Sequence, residues 1–331
     1  MKKVKALKTG LFAVLIMLAV SVCGQDIHLS QFYASPSTLN PAMTGAMSEV
    51  FRFSGSYRTQ WSAMVPYSTY AASFERSLDL KSYDKAGFGM TMLNDKTGQE
   101  GGLNTLKFLM GGAYSKCIRG KNGDYLIGLG FHGGYVQKGL YGSFVFPEAG
   151  QNENFSNEVI NYLDVNMGLI SAYSFRRGGS VFIGGSVFHL NEPNESFFSN
   201  DVSNNLNRRW VLHGGLKHGN DRSPFAFTPN FVLMFQGGAK EINIGANIHY
   251  DFAKVSQTDL ELIVGGWSRL NDALIAYAGL RFDSYEVGFS YDFNASPLKT
   301  ALNGRGALEF NFKYLFNRSG VKFCPFEGLR I

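Results

Sequence analysis

The run EINIGANIHYDF, Glu241 to Phe252, alternates without a break. Ile242, Ile244, Ala246, Ile248, Tyr250 and Phe252 fall on one side, and Glu241, Asn243, Gly245, Asn247, His249 and Asp251 on the other. Successive side chains of a strand point to opposite faces, so this is a strand with one greasy and one polar face. Tyr285 to Phe293 repeats the pattern, with Tyr285, Val287, Phe289, Tyr291 and Phe293 opposite Glu286, Gly288, Ser290 and Asp292. Phe310, Phe312, Tyr314 and Phe316 stand against Glu309, Asn311 and Lys313, and Phe51, Phe53 and Tyr57 against Arg52, Ser54, Ser56 and Arg58. Soluble sandwiches alternate too, so the chemistry of the two faces has to separate the cases. The apolar face ends repeatedly in Tyr or Phe, as aromatic girdles at a bilayer interface do, while the polar face mixes charges with glycine, as a wet or filled lumen would.

Composition agrees. Of 331 residues, 45% are hydrophobic, 15% aromatic and only 17% charged, with 39 glycines. Disordered chains lack aromatics and carry more charge, and soluble enzymes carry about a quarter charged residues. After residue 22 no apolar run approaches the ~20 residues that a membrane-spanning helix needs. The formal charge of +5 owes four lysines (Lys2, Lys3, Lys5, Lys8) to the first eight residues; without them 27 basic residues face 26 acidic ones, a net of +1. No nucleic-acid footprint follows.

That lysine-rich start, the apolar run Leu11 to Val22 and the small residues before Gln25 read as an export signal over residues 1–24. Cys23 follows the branched Val22, which argues against a lipoprotein. Cys117 and Cys324 then remain: too few for a disulfide framework and without metal-ligand spacing. A bridge between them is conceivable; two free thiols is the preferred expectation.

The pattern predicts fourteen strands, at 50–58, 67–78, 85–94, 103–117, 123–138, 161–175, 180–190, 208–218, 226–236, 241–252, 259–268, 273–282, 285–294 and 305–316. Fourteen is even, as bacterial single-chain barrels require. With the first strand starting in the periplasm, the two longest connections, 139–160 and 191–207, both fall outside the cell, where long loops belong. Residues 25–48 do not alternate, contain Pro36 and Pro41, and are expected to form an N-terminal plug in the lumen. Residues 49–316 form the transmembrane barrel and 317–331 a periplasmic tail with Cys324.

Motifs that would carry chemistry are weak. Gly128-Leu129-Gly130-Phe131-His132-Gly133 matches the dinucleotide fingerprint, with Glu148 about twenty residues on, but continues as strand-like Gly134-Tyr135-Val136-Gln137 where a helix is required. The histidines (His28, His132, His189, His213, His218, His249) show no metal-site spacing, and those on strands read as lumenal lining. There is no GxSxG elbow; Ser186 with His189, or Ser290 with His249, are only arithmetic pairs. No enzyme, metal or cofactor is expected.

After the signal the chain reads Gln25-Asp26-Ile27-His28-Leu29-Ser30-Gln31-Phe32-Tyr33-Ala34-Ser35-Pro36, then Leu39-Asn40-Pro41-Ala42-Met43-Thr44-Gly45, then Tyr57-Arg58 and Gln60-Trp61. These motifs, with Cys324-Pro325 near the end, resemble the PorP/SprF family of type IX secretion membrane proteins. The resemblance implies an outer-membrane barrel similar to the FadL class, whose N-terminal hatch also carries an Asn-Pro-Ala element, matched here by Asn40, Pro41 and Ala42. It implies work with the type IX translocon: binding or anchoring a secreted cargo, such as a gliding adhesin, through its C-terminal domain. Some members connect to a periplasmic peptidoglycan-binding lipoprotein. No catalytic residues belong to the pattern. The candidate cargo loops offer Asn152, Glu153, Asn154, Asn194, Glu195 and Asn200 to Asn205 for hydrogen bonds, and Phe155, Phe197 and Phe198 as anchors. The rival expectation is a transporter of hydrophobic solutes, which needs a greasy lumenal pocket; the lumenal faces read as mostly polar. An outer-membrane hydrolase would need a Ser/His pair in hydrogen-bond reach at the rim.

Overall fold

The computed structural model describes residues 26, 29–60, 66–80, 83–98, 102–141, 143–146, 151–154, 158–176, 178–197, 204–219, 223–256, 258–296 and 306–316. Its strands are β1 (Phe51–Gln60), β2 (Tyr67–Asp79), β3 (Lys85–Thr97), β4 (Leu103–Arg119), β5 (Gly123–Leu140), β6 (Ser143–Phe146), β7 (Gln151–Asn154), β8 (Glu158–Phe175), β9 (Ser180–Phe188), β10 (Arg209–Lys217), β11 (Phe225–Gln236), β12 (Ala239–Asp251), β13 (Leu260–Arg269), β14 (Ala273–Phe282), β15 (Tyr285–Asn294) and β16 (Ala307–Phe316). Fourteen of them close into one antiparallel barrel, each beside its neighbour in sequence, with β5 beside β8 and β16 returning to β1. All fourteen expected strands are present, displaced at either end by no more than three residues. Within the expected loop 139–160, β6 and β7 instead pair as a separate hairpin, Ser143 opposite Asn154.

Closure pairs each strand with two neighbours through the part of the wall that crosses lipid, which is what lets a sheet span a membrane. The outer face is apolar: Phe53, Phe88, Phe131, Leu169, Ile183, Ile244, Ile248, Val264, Phe289 and Phe310 all stand exposed. At the rim carrying the short turns, aromatic rings gather into a belt. Phe51 stacks on Phe316 at 4.6 Å, and Tyr285 meets Tyr314 at 5.1 Å. Tyr125 meets Tyr173 at 4.7 Å and Phe225 meets Tyr250 at 4.9 Å. Such rings settle at the headgroup level.

The wall is uneven. β4, β5 and β8 run 17, 18 and 18 residues, whereas β9 and β10 run 9 each. Crossing the bilayer takes about 9–11 residues. β8 pairs with β9 only from Met167 to Ser174, but with β5 all the way to Glu158. The surplus therefore projects at the rim that carries the long connections.

Candidate functional site

Leu29 to Glu49 lies inside the ring of strands, and almost every residue of it is buried. It has too little regular structure to hold itself: a 3₁₀ turn at Phe32–Ala34, one helical turn at Pro36–Leu39 and a second 3₁₀ turn at Pro41–Met43. Both prolines stand at the first position of their turns, where a missing N–H costs nothing. Asn40 caps the last turn, its Oδ1 accepting from Ala42 N at 2.9 Å.

The wall supplies the rest. Asn40 Nδ2 donates to Leu169 O at 2.8 Å and lies 2.9 Å from His213 Nε2. Ser186 Oγ donates to Leu39 O at 2.7 Å. Thr44 Oγ1 is 2.7 Å from His132 Nε2, and Glu75 accepts from Gly45 N at 2.9 Å while pairing with Arg52 at 2.9 Å. Lys85 Nζ donates to Met47 O at 2.9 Å. Nearer the long-loop rim, Glu309 accepts from Ser30 N at 2.7 Å and Gln31 N at 3.0 Å. Asp292 accepts from Ser30 Oγ at 2.6 Å, and Arg58 and Arg269 pair with Asp292 at 3.1 and 3.2 Å. Asp26 meets Lys107 at 2.5 Å, Arg209 at 3.0 Å and His189 at 3.1 Å. Burial pushes its carboxyl up, but Lys107, Arg209 and His189 outweigh burial and hold it well below the usual range.

Wall glycines make room for this backbone. A Cβ at Gly130 would sit 2.3 Å from Pro41 O, at Gly87 1.9 Å from Thr44 O, and at Gly168 1.9 Å from Asn40 Oδ1. The trough runs across β3, β5 and β8, and the Asn40–Gly45 stretch lies in it. This accounts for the fingerprint-like glycines. Gly128 and Gly130 belong to a continuous strand, β5, and no helix follows, so the nucleotide reading falls.

The lumen is mostly polar, as the sequence reading has it, but one layer of it is not. Buried Glu75, Asp164, Asn166, Glu286, Glu309 and Asn311 line most of it, but Val211, Val232, Ile263, Trp267, Ile275 and Tyr277 form an apolar layer with Phe32, Tyr33 and Leu39. Phe32 meets Trp267 edge-on at 5.3 Å, Tyr33 stacks on Trp267 at 5.5 Å, and Trp267 Nε1 donates to Asn247 at 3.0 Å. Beside Asp26 a cavity of about 50 Å³ remains, lined by Leu29, Phe32, Leu39, Leu109, Phe188 and Val211.

The residues singled out from sequence are thus divided. Gln31, Phe32, Tyr33, Asn40, Pro41, Ala42 and Gly45 are buried together. Arg58 points inward and donates to Gln60 at 3.0 Å, while Tyr57 points outward, ring to ring with Tyr70 at 4.9 Å. Asn152 and Asn154 lie on β7. Asn194 bridges to Asn205, and Glu195 takes Lys138 Nζ at 2.9 Å and the Tyr162 hydroxyl, which ties this part of the connection to β5 and β8. Phe197 is half-buried; Trp61, Phe155 and Phe198 lie outside the described residues. Cys117 is disulfide-bonded, against the expectation of two free thiols; the chain's other cysteines, Cys23 and Cys324, lie outside the described residues. The arithmetic Ser/His pairs do not form. Ser186 serves Leu39, His189 sits between Asp164 and Asp26, and His249 bonds Thr228 and Glu261. No cluster of three or more metal-ligating side chains occurs among the described residues. Sequence reasoning set Asp292 and Glu309 on polar strand faces without giving them a role and missed Glu75, Arg269, Lys107 and Arg209; a charge on the polar face of an alternating strand was the available signal.

A closed, even-stranded antiparallel barrel with an apolar outer belt and a charged interior is an integral outer-membrane β-barrel. The chain belongs to the type IX secretion system membrane protein PorP/SprF family, whose model matches residues 21–314. The Ralstonia pickettii toluene transporter TbuX shares the fold, at 10% identity and a TM-score of 0.50, over 86% of this chain and 94% of that one. A Pseudomonas aeruginosa FadL homologue is similar at 10% identity and a TM-score of 0.47, over 86% and 94%. No curated protein matches the sequence. The chain is therefore an outer-membrane barrel of type IX secretion, and fold and family point to a secretion component rather than an enzyme.

Proposed function

We propose that the barrel binds or anchors an exported cargo protein, such as an adhesin, through the cargo's C-terminal domain, and conducts nothing itself. The observation that carries this is the seating of Leu29–Glu49. The segment is bonded to opposite walls across the middle of the barrel, where about 50 Å³ remains beside Asp26, and it separates a cavity of about 450 Å³ by Arg58 and Asp272 from one of about 540 Å³ by Lys217 and Glu261. In this reading residues 1–24 direct export, 25–48 plug the lumen, and 317–331 form a periplasmic tail available to a peptidoglycan-binding lipoprotein. The rim with the long connections faces outward, and the type IX translocon delivers cargo to it. There the β6–β7 hairpin and the 191–207 connection present Asn152, Asn154, Asn194 and Phe197, with Phe155 and Phe198 beside them in sequence. Deleting the tip of 191–207 should abolish surface display of the cognate cargo while the barrel stays folded. Unchanged display refutes the loop's role.

A second reading, transport of hydrophobic solutes, draws on the apolar layer around Trp267 and on the fold shared with a protein described as a toluene transporter. Uptake of toluene by liposomes containing the purified barrel would establish it; impermeability supports the anchoring reading.

A further inference from the structure

β8 continues nine residues past the last rung it shares with β9, from Asn166 up to Glu158. On that side the chain imitates the next rung with a side chain. Val165 N donates to Asn191 Oδ1 at 3.1 Å, Leu190 N donates to Val165 O at 2.9 Å, and Asn191 Nδ2 donates to Leu163 O at 2.6 Å. His189 and Glu192 hold positive φ, 57° and 42°, so the chain leaves the wall here and turns inward to Tyr162 and Lys138. Main-chain groups of a strand alternate sides with period two. Val165 and Leu163 face the β9 side, so Asn161 and Val159 do as well, while Ile160 and Tyr162 face β5. Among the described residues nothing pairs with the β9-side groups of Asn161 and Val159. Val159, Leu163 and Val165 are 39%, 67% and 40% exposed on one face of the strand, with Asn161 between the first two.

An open strand edge with an apolar row beside it is a template for another extended chain. We propose that this edge is a strand-addition site, at which an extended segment of the exported partner pairs antiparallel with Val159 and Asn161 and continues the β8–β9 ladder upward. The partner's side chains would alternate between the Val159–Leu163 row and solvent. A second copy is disfavoured by geometry: two barrels inserted the same way present β8 running in the same direction, which excludes an antiparallel pair. The inference rests on the anchoring reading and gives it a place and a mode.

Proline on an edge strand is tolerated where its missing N–H faces the open side. The test uses cells displaying a fluorescent protein fused to the C-terminal domain of a type IX cargo of the same organism. Val159→Pro and Asn161→Pro should each lower the retained fluorescence about tenfold, the effect of one or two lost main-chain bonds, with the barrel folded. Ile160→Pro, which faces β5, should instead disturb the barrel. In the purified wild type, single-residue hydrogen exchange should be fast at Val159 and Asn161 and slow at Ile160 and Tyr162. Slow exchange at Val159 and Asn161 overturns the proposal, because the chain then covers its own edge. So does normal retention in both proline variants, which leaves the anchoring reading intact. A disulfide-linked homodimer of Asn161→Cys overturns it in favour of self-pairing. No retention by the wild type defeats anchoring itself, and this pairing with it.

Discussion

Substituting Gly130 tests whether the lumenal segment is held by close backbone contact. In Gly130→Ala the new Cβ meets Pro41 O at 2.3 Å, Pro41 C at 2.4 Å and Ala42 N at 2.5 Å, all backbone atoms. Ordinary contact begins near 3.4 Å, so the segment must withdraw by 3.4 − 2.3 = 1.1 Å. The bonds from Asn40 to Leu169 O, 2.8 Å, and from Thr44 to His132, 2.7 Å, would then stretch beyond useful length. Each is worth roughly 0.5–1.5 kcal/mol, and orphaned buried groups add about 1–3 kcal/mol. The seated segment should lose about 3 kcal/mol relative to an unseated one. At 1.4 kcal/mol per decade this is roughly a hundredfold rise in amide exchange. The assay is hydrogen exchange of peptides covering residues 40–47 in detergent. Gly133→Ala is the control from the same run, because its Cβ meets nothing nearer than Asp164 O at 4.0 Å. Equal protection in the two variants would refute the close-contact account.

Other outcomes follow from the same geometry. Glu75→Ala leaves Arg52 buried without its carboxylate and frees Gly45 N, so it should cost about 3–5 kcal/mol, read as a lower unfolding midpoint; a loss below 1 kcal/mol counts against it. Asp26→Asn should loosen the start of the segment at neutral pH, measured as faster exchange around Leu29. Because the folded Asp26 carboxyl is held below 3.8, its contribution is present above that value and fades only as pH falls through the lower folded one. A mutational penalty that disappears by about pH 5 would contradict the sign. Cys117 in unreduced, denatured protein should resist alkylation and become reactive on reduction; a free thiol there refutes the bridge.

The strands were legible because a membrane barrel exposes both faces to different media, so runs such as Glu241–Phe252 carry the period undiluted. The β6–β7 hairpin escaped because Gln151–Asn154 is polar throughout, although Phe144-Val145-Phe146 followed in sequence by Pro147-Glu148-Ala149-Gly150 hinted at it. The apolar lumenal layer escaped for the opposite reason. β13 is greasy on both faces, with Leu262 and Val264 outward and Ile263 and Trp267 inward, which blurs alternation. Its partners Phe32 and Tyr33 are more than 200 positions away in sequence. The glycines of β5 resembled a phosphate loop because closeness of backbone to any ligand, whether pyrophosphate or Pro41–Ala42, asks for the same missing Cβ.

The segment from Asp26 to Met47 is tied to β4 and β10 by Asp26, to β1, β13, β15 and β16 around Ser30, to β8 by Asn40, to β2 by Gly45 and to β3 by Met47. It is thereby a cross-brace as well as a filling. A cylinder pulled sideways by a tethered surface protein tends to flatten into an oval, and flattening here would have to tear buried ion pairs on facing walls. On the anchoring reading, the brace would pass traction at one rim to the far wall as a load shared among many strands.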